Sequence, residues 1–325
     1  MTRSIRPGIS PGYWRHGRRP GSACRRARLV IVSFCKPARI VIPGAGGMVG
    51  RVLAGHARRQ GRDVLALTSS EWDITDPDAA ERIVESGDVV INCAAFTNVD
   101  DAETEQARAH AVNTEGPAHL ARACATAGAR LIHISTDYVF SGTQRQPYEI
   151  DDEPGPVNVY GRTKLAGEAA VLAALPGAHV VRTSWVYEGG DSTDFAAVMR
   201  RKAAGEGPVH VAADQTASPT YVGDLAVALL EVADGAVRQS VLHAVNGGEA
   251  SRFDQARAVF EAVGADPERV RPVAGDPKPA LRPPYSALSG RRSVAAGLIP
   301  LRPWEEALRD ALRAYRPGGP LPSTP

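Results

Sequence analysis

The sequence predicts a doubly wound α/β fold, in which helices cover both faces of a parallel β-sheet. Three observations support this prediction. From Arg39 onwards, short β-branched runs alternate with longer helical segments, and a glycine-rich turn follows the first run directly. The third observation is the length, because 325 residues give room for one large α/β domain and a smaller second one.

Short runs rich in Val, Ile and Leu are the predicted strands, since β-branched residues are enriched in strands. These runs lie at residues 39–43, 64–67, 88–93, 130–134, 180–183, 209–211 and 241–245. The predicted helices between them lie at residues 113–127, 160–174, 195–204 and 222–233. Prolines gather at 272–284 and at the C-terminus, which predicts long loops and a flexible tail over 317–325.

The distribution of charge divides the chain near residue 38. Residues 1–38 carry eight arginines, Lys36 and no acidic residue, whereas the remainder carries 29 basic and 36 acidic residues. We therefore expect a basic, disordered N-terminal extension over 1–38, with a functional basic arm or a targeting segment as the alternatives. The apolar run at 29–35 is short for an export signal, and no small-residue cleavage pattern follows it.

Composition excludes several classes of protein for the rest of the chain. Its mildly acidic balance argues against nucleic-acid binding, and no apolar run approaches the roughly 20 residues that span a bilayer. The four cysteines show neither a C-x-x-C pair nor a regular spacing, so we predict neither a disulfide framework nor a zinc site. Reduced thiols fit a cytoplasmic protein. From the charge balance and the lack of a long apolar run, we expect neither a nucleic-acid partner nor a membrane partner.

The glycine-rich turn contains Gly44, Gly47 and Gly50 and lies between the first strand and the first helix. Glycines at such a turn let the backbone approach a pyrophosphate at the N-terminus of the helix. An ordinary strand-to-helix turn is the alternative. We predict a Rossmann-type NAD(P)-binding domain over 39–185, whose sheet is completed by later strands from about 209–245.

The end of the second predicted strand bears on the choice of cofactor. Thr68, Ser69 and Ser70 stand where an acid would hold an adenosine 2′-hydroxyl. Small hydroxyls, with Arg51 or Arg58 nearby, would accept a 2′-phosphate instead. This favours NADPH and leaves NADH open.

Tyr160 and Lys164 are four residues apart in a predicted helix, so their side chains lie on the same face. The pKa of a free tyrosine is about 10, and a neighbouring cation lowers it by about 1–3 units because it stabilises the phenolate. The pair could therefore act as one acid/base device. An exposed tyrosine and a solvated lysine are the alternative.

Ordered motifs along residues 39–316 resemble those of the extended short-chain dehydrogenase/reductases, and within them the dTDP-4-dehydrorhamnose reductase family. The motifs lie at residues 73–76, 91–100, 112–117, 134–140, 159–165, 182–187, 214–215, 219–220 and 282–283. The resemblance implies a smaller substrate-binding part, built mainly from residues 186–316 and interleaved with the cofactor domain.

The resemblance also implies roles for individual residues. Tyr160 would donate the proton, Lys164 would lower its pKa and hold the nicotinamide ribose, and Thr136 would hydrogen-bond the substrate carbonyl. Asn113 would support a proton-relay water near the lysine. The other cofactor-binding positions would be Gly44, Gly47, Met48, Val49, Gly50, Asp73, Ile74, Ala95, Phe96 and Thr97.

For the sugar nucleotide, the resemblance implies contacts with Asp137 and Trp185, and the paired donors of Arg282 make it a candidate for the diphosphate. Structural roles remain the alternatives for these and for three other residues. Trp185 could be a core residue, Thr136 a strand-end hydroxyl and Arg282 a solvated arginine. Helix capping or a local turn could explain Asp73, Asn113 and Asp137.

The activity implied is the NAD(P)H-dependent reduction of the C4 ketone of dTDP-4-dehydro-6-deoxy-L-mannose to dTDP-L-rhamnose. A reductase of another 4-keto-6-deoxy sugar nucleotide is the main alternative. A non-catalytic subunit, for instance of methionine adenosyltransferase, is another. Dehydration is disfavoured because related dehydratases have an acidic pair after the threonine, whereas Asp137 is followed by Tyr138.

Some family members carry a glutamate shortly after the third glycine, and it helps to bind a metal between two subunits. Here the residues at that place are Arg51, Val52 and Leu53. We therefore predict no metal site, and a monomer or a homodimer without a bridging ion.

Overall fold

The computed structural model of this chain describes residues 39–275 and 278–314, which belong to one compact unit. The expected extension over 1–38 and the expected tail over 317–325 lie outside the described residues. None of the helices in the described part of the chain is both long and apolar enough to cross a lipid bilayer.

The strands of the described residues are short. They are β1 (Ile40–Pro43), β2 (Val64–Leu67), β3 (Val89–Asn92), β4 (Arg130–Thr136), β5 (His179–Thr183), β6 (Val186–Tyr187), β7 (Val209–Ala212), β8 (Thr216–Ala217), β9 (Thr220–Tyr221), β10 (Val241–His243), β11 (Ala250–Ser251) and β12 (Val270–Val273). The central sheet has the order β10-β5-β4-β3-β1-β2, and its neighbouring strands are parallel. The predicted parallel α/β sheet is confirmed.

The helices that connect these strands include most of the predicted segments. They are α1 (Met48–Arg59), α2 (Pro77–Ile83), α3 (Val99–Thr104), α4 (Gln106–His110), α5 (Gly116–Ala127), α6 (Val159–Ala174), α7 (Phe195–Ala203), α8 (Val222–Ala233), α9 (Arg252–Ala262), α10 (Arg291–Ala295) and α11 (Trp304–Ala314). A π-helical turn (Ala111–Glu115) precedes α5, so the helix predicted from residue 113 begins as an α-helix at Gly116.

Both faces of the central sheet are buried, because helices cover both of them. Successive side chains of a strand point to opposite faces, so each strand contributes to two separate cores. On one face, Ile40 and Ile42 of β1 pack with side chains from α1 and α8. On the other face, Val41 packs with residues of α2 and α5, among them Leu120. The sheet is therefore doubly wound, and the strand order reverses between β1 and β3.

One predicted strand lies elsewhere than expected. The run at 209–211 does not complete the central sheet, because β7 pairs in parallel with β12 in a separate two-stranded sheet. Val209 and Val211 pack with apolar side chains of α7, α9 and α11, which form their own core. The run at 241–245 does join the central sheet, where β10 pairs with β5. The boundary between the cofactor domain and the substrate-binding part at residue 185 remains a proposal, since β10 comes later in the chain and still joins the central sheet.

Candidate active site

A cavity of about 770 Å³ is lined by the segments that follow the carboxyl ends of β1, β2, β3, β4 and β5. It therefore lies where the strand order reverses, the usual ligand site of an open α/β sheet. Its walls include most of the predicted site residues: Gly44, Gly47, Met48, Val49, Asp73, Ile74, Ala95, Phe96, Thr97, Thr136, Asp137, Tyr160, Lys164 and Trp185. Gly50, Asn113 and Arg282 are outside this lining.

The glycine turn provides a cradle that a phosphate group fits. Gly44 has a φ of +79°, and a Cβ there would lie 2.5 Å from the Ala94 nitrogen. A Cβ on Gly50 would lie 2.5 Å from the Gly44 carbonyl oxygen, so this glycine lets α1 pack against the turn. The α1 N-terminus has no side-chain cap and no acidic residue in its first turn. Its free N–H groups and positive dipole end are available for an anion.

The end of β2 carries an acid that the sequence pattern did not predict. Glu71 Oε2 accepts hydrogen bonds of 2.8 Å from both the backbone nitrogen and the hydroxyl of Thr68. Thr68 and Ser69 line the cavity. Arg51, one of the two expected partners for a 2′-phosphate, forms an ion pair of 2.7 Å with Glu188 instead.

Asn113 holds the segment after β3 in place. Its Oδ1 accepts a hydrogen bond of 2.8 Å from the Phe96 nitrogen, and its Nδ2 donates to the Phe96 carbonyl at 3.0 Å and to Thr163 Oγ1 at 3.1 Å. The side chain is fully buried. Its amide therefore positions Phe96 in the cavity wall, and the expected part in a proton relay remains a prediction.

Two residues at the expected adenine position have different environments. Ile74 is buried, and a Cβ on Gly116 would lie 2.7 Å from its Cδ1 atom. Asp73 Oδ1 accepts hydrogen bonds from the nitrogen and the hydroxyl of Thr75 at 2.9 and 2.8 Å. Because the N-cap of α2 is Asp76, helix capping does not account for Asp73.

Tyr160 and Lys164 lie in the first two turns of α6, which begins at Val159. The Asn158 carboxamide caps this helix by accepting from the Gly161 nitrogen at 2.7 Å. Lys164 Nζ donates to the Ile134 carbonyl at 2.7 Å and lies 3.4 Å from His133 Nε2. Helix α6 thus directs both groups at the carboxyl end of β4.

The expected lowering of the Tyr160 pKa by Lys164 is not found. Burial raises the pKa of this phenol, and the neighbouring Thr136 hydroxyl is the group that opposes the increase. Burial also lowers the pKa of Lys164, to about 8. The neutral phenol is therefore the stable form near neutral pH, and it retains the proton that a general acid must give.

Asp137 is a buried carboxylic acid that lines the same cavity as Tyr160 and Lys164. Its Oδ1 accepts from Thr136 Oγ1 at 3.1 Å and its Oδ2 from Ser286 Oγ at 2.5 Å. Burial raises the pKa of Asp137 to about 6, although these hydrogen bonds oppose the increase. Ser286 follows β12 in the C-terminal part, so this contact joins that part to the end of β4.

Trp185 has an unusual backbone conformation and an unexpected partner. Among the described residues it alone, glycines apart, has a positive φ, of 41°, which costs about 1–3 kcal/mol. The Arg252 guanidinium lies 3.5 Å from the centroid of its ring and 4.7 Å from that of Phe195. Burial lowers the pKa of Arg252 to about 10. No motif pointed to Arg252, because its stacking partner is 67 positions away in the chain.

Arg282 is already paired within the protein. Its Nη2 forms an ion pair of 2.9 Å with Asp100, and its Nη1 donates to the Ala280 carbonyl at 2.8 Å. These contacts fasten the loop that contains Arg282 to α3. The expected diphosphate contact therefore remains a prediction, and Arg252 is a second guanidinium close to Tyr138 in the cavity wall.

No three His, Cys, Asp or Glu side chains of residues 39–275 and 278–314 come together in a way that could hold a metal ion.

Comparison with known proteins identifies relatives along nearly the whole chain. The family model of the RmlD substrate binding domain matches residues 38–316. The chain is 64% identical over 324 residues to a dTDP-4-dehydrorhamnose reductase of Mycolicibacterium smegmatis, with 98% of each chain covered, so the similarity extends into residues 1–38. It is also 64% identical over 282 residues to that of Mycobacterium tuberculosis strain H37Rv, which covers 85% of this chain and 93% of the relative.

A solved structure has the same fold. The dTDP-4-dehydrorhamnose reductase of Bacillus anthracis in complex with NADP gives a TM-score of 0.79 at 32% identity, covering 85% of this chain and 99% of that one. The glycine turn, the Tyr160 and Lys164 pair and Thr136 line one cavity of that fold here. The chain belongs to the dTDP-4-dehydrorhamnose reductase family.

Proposed function

We propose that this protein reduces the C4 ketone of dTDP-4-dehydro-6-deoxy-L-mannose with NADPH and forms dTDP-L-rhamnose. The observation that carries the proposal is that Tyr160, Lys164 and Thr136 line the same cavity as the glycine turn, in a chain that is 64% identical to a named reductase. This combination also supports an enzyme over a non-catalytic subunit.

The part of the cavity next to the carboxyl ends of β1 and β3 would hold the cofactor. The N–H groups at the start of α1 would hold the pyrophosphate, because Gly44 and Gly47 keep the backbone accessible there. Asp73 and Ile74 would contact the adenine, and Ala95, Phe96 and Thr97 would contact the cofactor towards its nicotinamide end. When bound, NADPH supplies the hydride for the ketone carbon.

Tyr160 gives a proton to the ketone oxygen as negative charge develops there. A positioned general acid contributes about 10²- to 10⁴-fold to the rate. The Thr136 hydroxyl donates its one hydrogen to Asp137 Oδ1 at 3.1 Å, and it turns this hydrogen to the same carbonyl when the ketone is bound. Lys164 then restores the proton of Tyr160, since both groups lie on one face of α6.

The sugar nucleotide is bound at the other end of the cavity. Asp137 accepts from a sugar hydroxyl and Trp185 packs on a sugar ring. Arg252 offers its guanidinium to the diphosphate, because stacking on Trp185 uses the face of the group and not its N–H donors. Its Nη1 donates to Gln255 Oε1 at 3.0 Å, so the contact with the diphosphate would use the other edge donors. Arg282 supports the same region through Asp100. We propose a cytoplasmic location and a monomer or homodimer.

The decisive experiment measures NADPH oxidation with dTDP-4-dehydro-6-deoxy-L-mannose. Tyr160→Phe should lower kcat by about 10² or more, because the phenol oxygen that carries the proton is removed. Tyr138→Phe is the matched control, since the two rings lie edge to face with centroids 5.9 Å apart, and it should retain most of the rate.

Other outcomes would change the assignment. Turnover of a different nucleotide-sugar ketone, with none of this one, would make the protein a reductase of that sugar. Equal rates for wild type and Tyr160→Phe would remove the proton-donor role. Cofactor binding without turnover of any keto sugar would favour a non-catalytic subunit.

A further inference from the structure

A buried chain of hydrogen-bonding groups lies behind Lys164. Asn92 ends β3, and His133 is its registered neighbour on β4. The exposed fractions are 1% for Asn92, 0% for His133 and 2% for Lys164. Asn92 Nδ2 lies 3.0 Å from His133 Nδ1, and His133 Nε2 lies 3.4 Å from Lys164 Nζ. The three side chains therefore form one row, which reaches the cavity at Lys164.

The backbone fixes the direction of this row. Asn92 Oδ1 accepts a hydrogen bond of 3.0 Å from the Ala94 nitrogen, so the amide oxygen points at the backbone. The amide NH₂ group must then face His133. Because that group only donates, His133 Nδ1 must accept. The proton of the neutral imidazole is consequently on Nε2, the atom that faces Lys164.

An imidazole N–H pointing at Lys164 distinguishes the two states of the amine. A neutral amine can accept a hydrogen bond from Nε2–H, whereas an ammonium group offers only hydrogens. The Ile134 carbonyl, at 2.7 Å, can accept from either form. The geometry therefore favours loss of a proton from Lys164, in the same direction as the burial that lowers its pKa to about 8. The pKa of His133 is well below its usual value because of its burial, so the imidazole stays neutral.

The other ionisable groups around Lys164 do not reverse this effect. Glu168, one turn further along α6, would favour the ammonium, but it is held in a buried ion pair of 2.7 Å with Arg182. Cys93, at the end of β3, remains a neutral thiol because burial raises its pKa to about 12. Tyr160 remains a neutral phenol because burial raises its pKa.

We propose that His133, oriented by Asn92, is a positioning residue that sets the pH at which Lys164 releases its proton. Through Lys164 it controls how readily Tyr160 is reprotonated between turnovers. The effect on the reprotonation of Tyr160 rests on the proposed reduction, whereas the effect on the proton of Lys164 does not.

The titration of Lys164 can be measured without turnover. The chain has four lysines, Lys36, Lys164, Lys202 and Lys278, so NMR of protein labelled at lysine Cε gives few signals. The signal of Lys164 is assigned as the one missing in Lys164→Met. In the wild type we expect its midpoint at about pH 8.

Two variants separate the positioning role from a structural one. Asn92→Leu adds no charge and frees His133 to carry its proton on Nδ1, so Nε2 can accept from the ammonium. The Lys164 midpoint should then rise by about one pH unit. His133→Gln keeps an N–H donor near the position of Nε2 and should leave the midpoint close to that of the wild type. Thermal melting shows that each variant is folded.

Asn92→Val serves as the second variant if Asn92→Leu does not fold, because a β-branched side chain suits β3 and removes the donor to His133 Nδ1 without adding a charge. An unchanged Lys164 midpoint in the folded variant would overturn the proposal, as would an equal rise in His133→Gln.

A second readout is the pH at which kcat falls on the alkaline side. It should rise with the Lys164 midpoint in Asn92→Leu. If the Lys164 midpoint rises while the alkaline fall of kcat stays at the same pH, the link between Lys164 and Tyr160 would be overturned. A failure of the proposed function itself would show differently, as absent turnover in the wild type with an unaltered lysine titration.

Discussion

The buried ion pair between Glu168 of α6 and Arg182 of β5 gives a sharp prediction about stability. Arg182 Nε and Nη2 donate to the two carboxylate oxygens of Glu168 at 2.9 and 2.7 Å. Both side chains are 5% exposed. The guanidinium also lies 5.1 Å from the centroid of the Phe140 ring, so little space is left for water. The pair ties the helix that carries Tyr160 and Lys164 to the central sheet.

Glu168→Ala leaves the Arg182 guanidinium buried without a counter-charge. Breaking a buried pair in this way costs about 3–5 kcal/mol of unfolding free energy. The same substitution removes the negative charge nearest Lys164 along α6. Replacing both partners, as in Glu168→Met with Arg182→Leu, leaves no buried charge and should restore most of the lost stability.

The assay is equilibrium unfolding in urea, followed by tryptophan fluorescence and by circular dichroism. Glu268→Gln is the matched control, because its pair with Arg257 has side chains that are 62% and 35% exposed and should contribute no measurable stability. A loss of unfolding free energy in Glu168→Ala as small as that of the control would show that the buried pair does not stabilise the fold. A double variant less stable than Glu168→Ala would contradict the expected restoration of stability.

Three further predictions concern the cavity. Gly50→Ala should weaken NADPH binding by about tenfold or more, since its Cβ would lie 2.5 Å from the Gly44 carbonyl oxygen. A fluorescence titration measures the affinity, with Gly55→Ala in the same helix as the control. Equal affinities of the two variants for NADPH would contradict the prediction. Glu71→Gln should lower the KM for NADPH relative to that for NADH, because Glu71 is hydrogen-bonded to Thr68 of the cavity wall and its charge repels a 2′-phosphate bound there. An unchanged ratio of KM values would argue against this position for the phosphate. Because burial raises the pKa of Asp137 from 3.8 to about 6, the folded protein binds this proton more tightly than the unfolded chain, so its contribution to the unfolding free energy falls as the pH rises through this range. Asp137→Asn should remove that slope in urea unfolding measured from pH 4 to pH 7, and an unaltered slope would show that other groups cause it.

Local patterns in the sequence identified most of the cavity wall. The glycine turn, the segment after β3 and the residues after β4 each follow a strand, and parallel strands bring their carboxyl ends together at one edge. The order of the elements therefore places Gly44, Phe96 and Thr136 close to one another at this edge of the sheet. The four-residue spacing of Tyr160 and Lys164 likewise placed both on one face of a helix.

Contacts between distant segments were not predictable in this way. The run at 209–211 looks like any sheet strand, and only its packing with α7, α9 and α11 shows that it pairs with β12. Arg282 was expected to be free, but Asp100, 182 positions away, binds it. Arg252 gave no sequence signal and nevertheless stacks on Trp185.

Fold class, the position of the glycine turn and the shared helix face of Tyr160 and Lys164 could be predicted from the sequence, because they depend on spacing within one strand or helix and on the order of elements. The electrostatic environment of Tyr160 and Lys164 could not be predicted in this way, because it depends on the packing of distant segments. Burial raises the pKa of Tyr160 and lowers that of Lys164, and His133 of β4 faces the amine of Lys164 on α6. A pKa depends on solvent access and on every neighbouring dipole and charge, and these are fixed only when distant segments pack together.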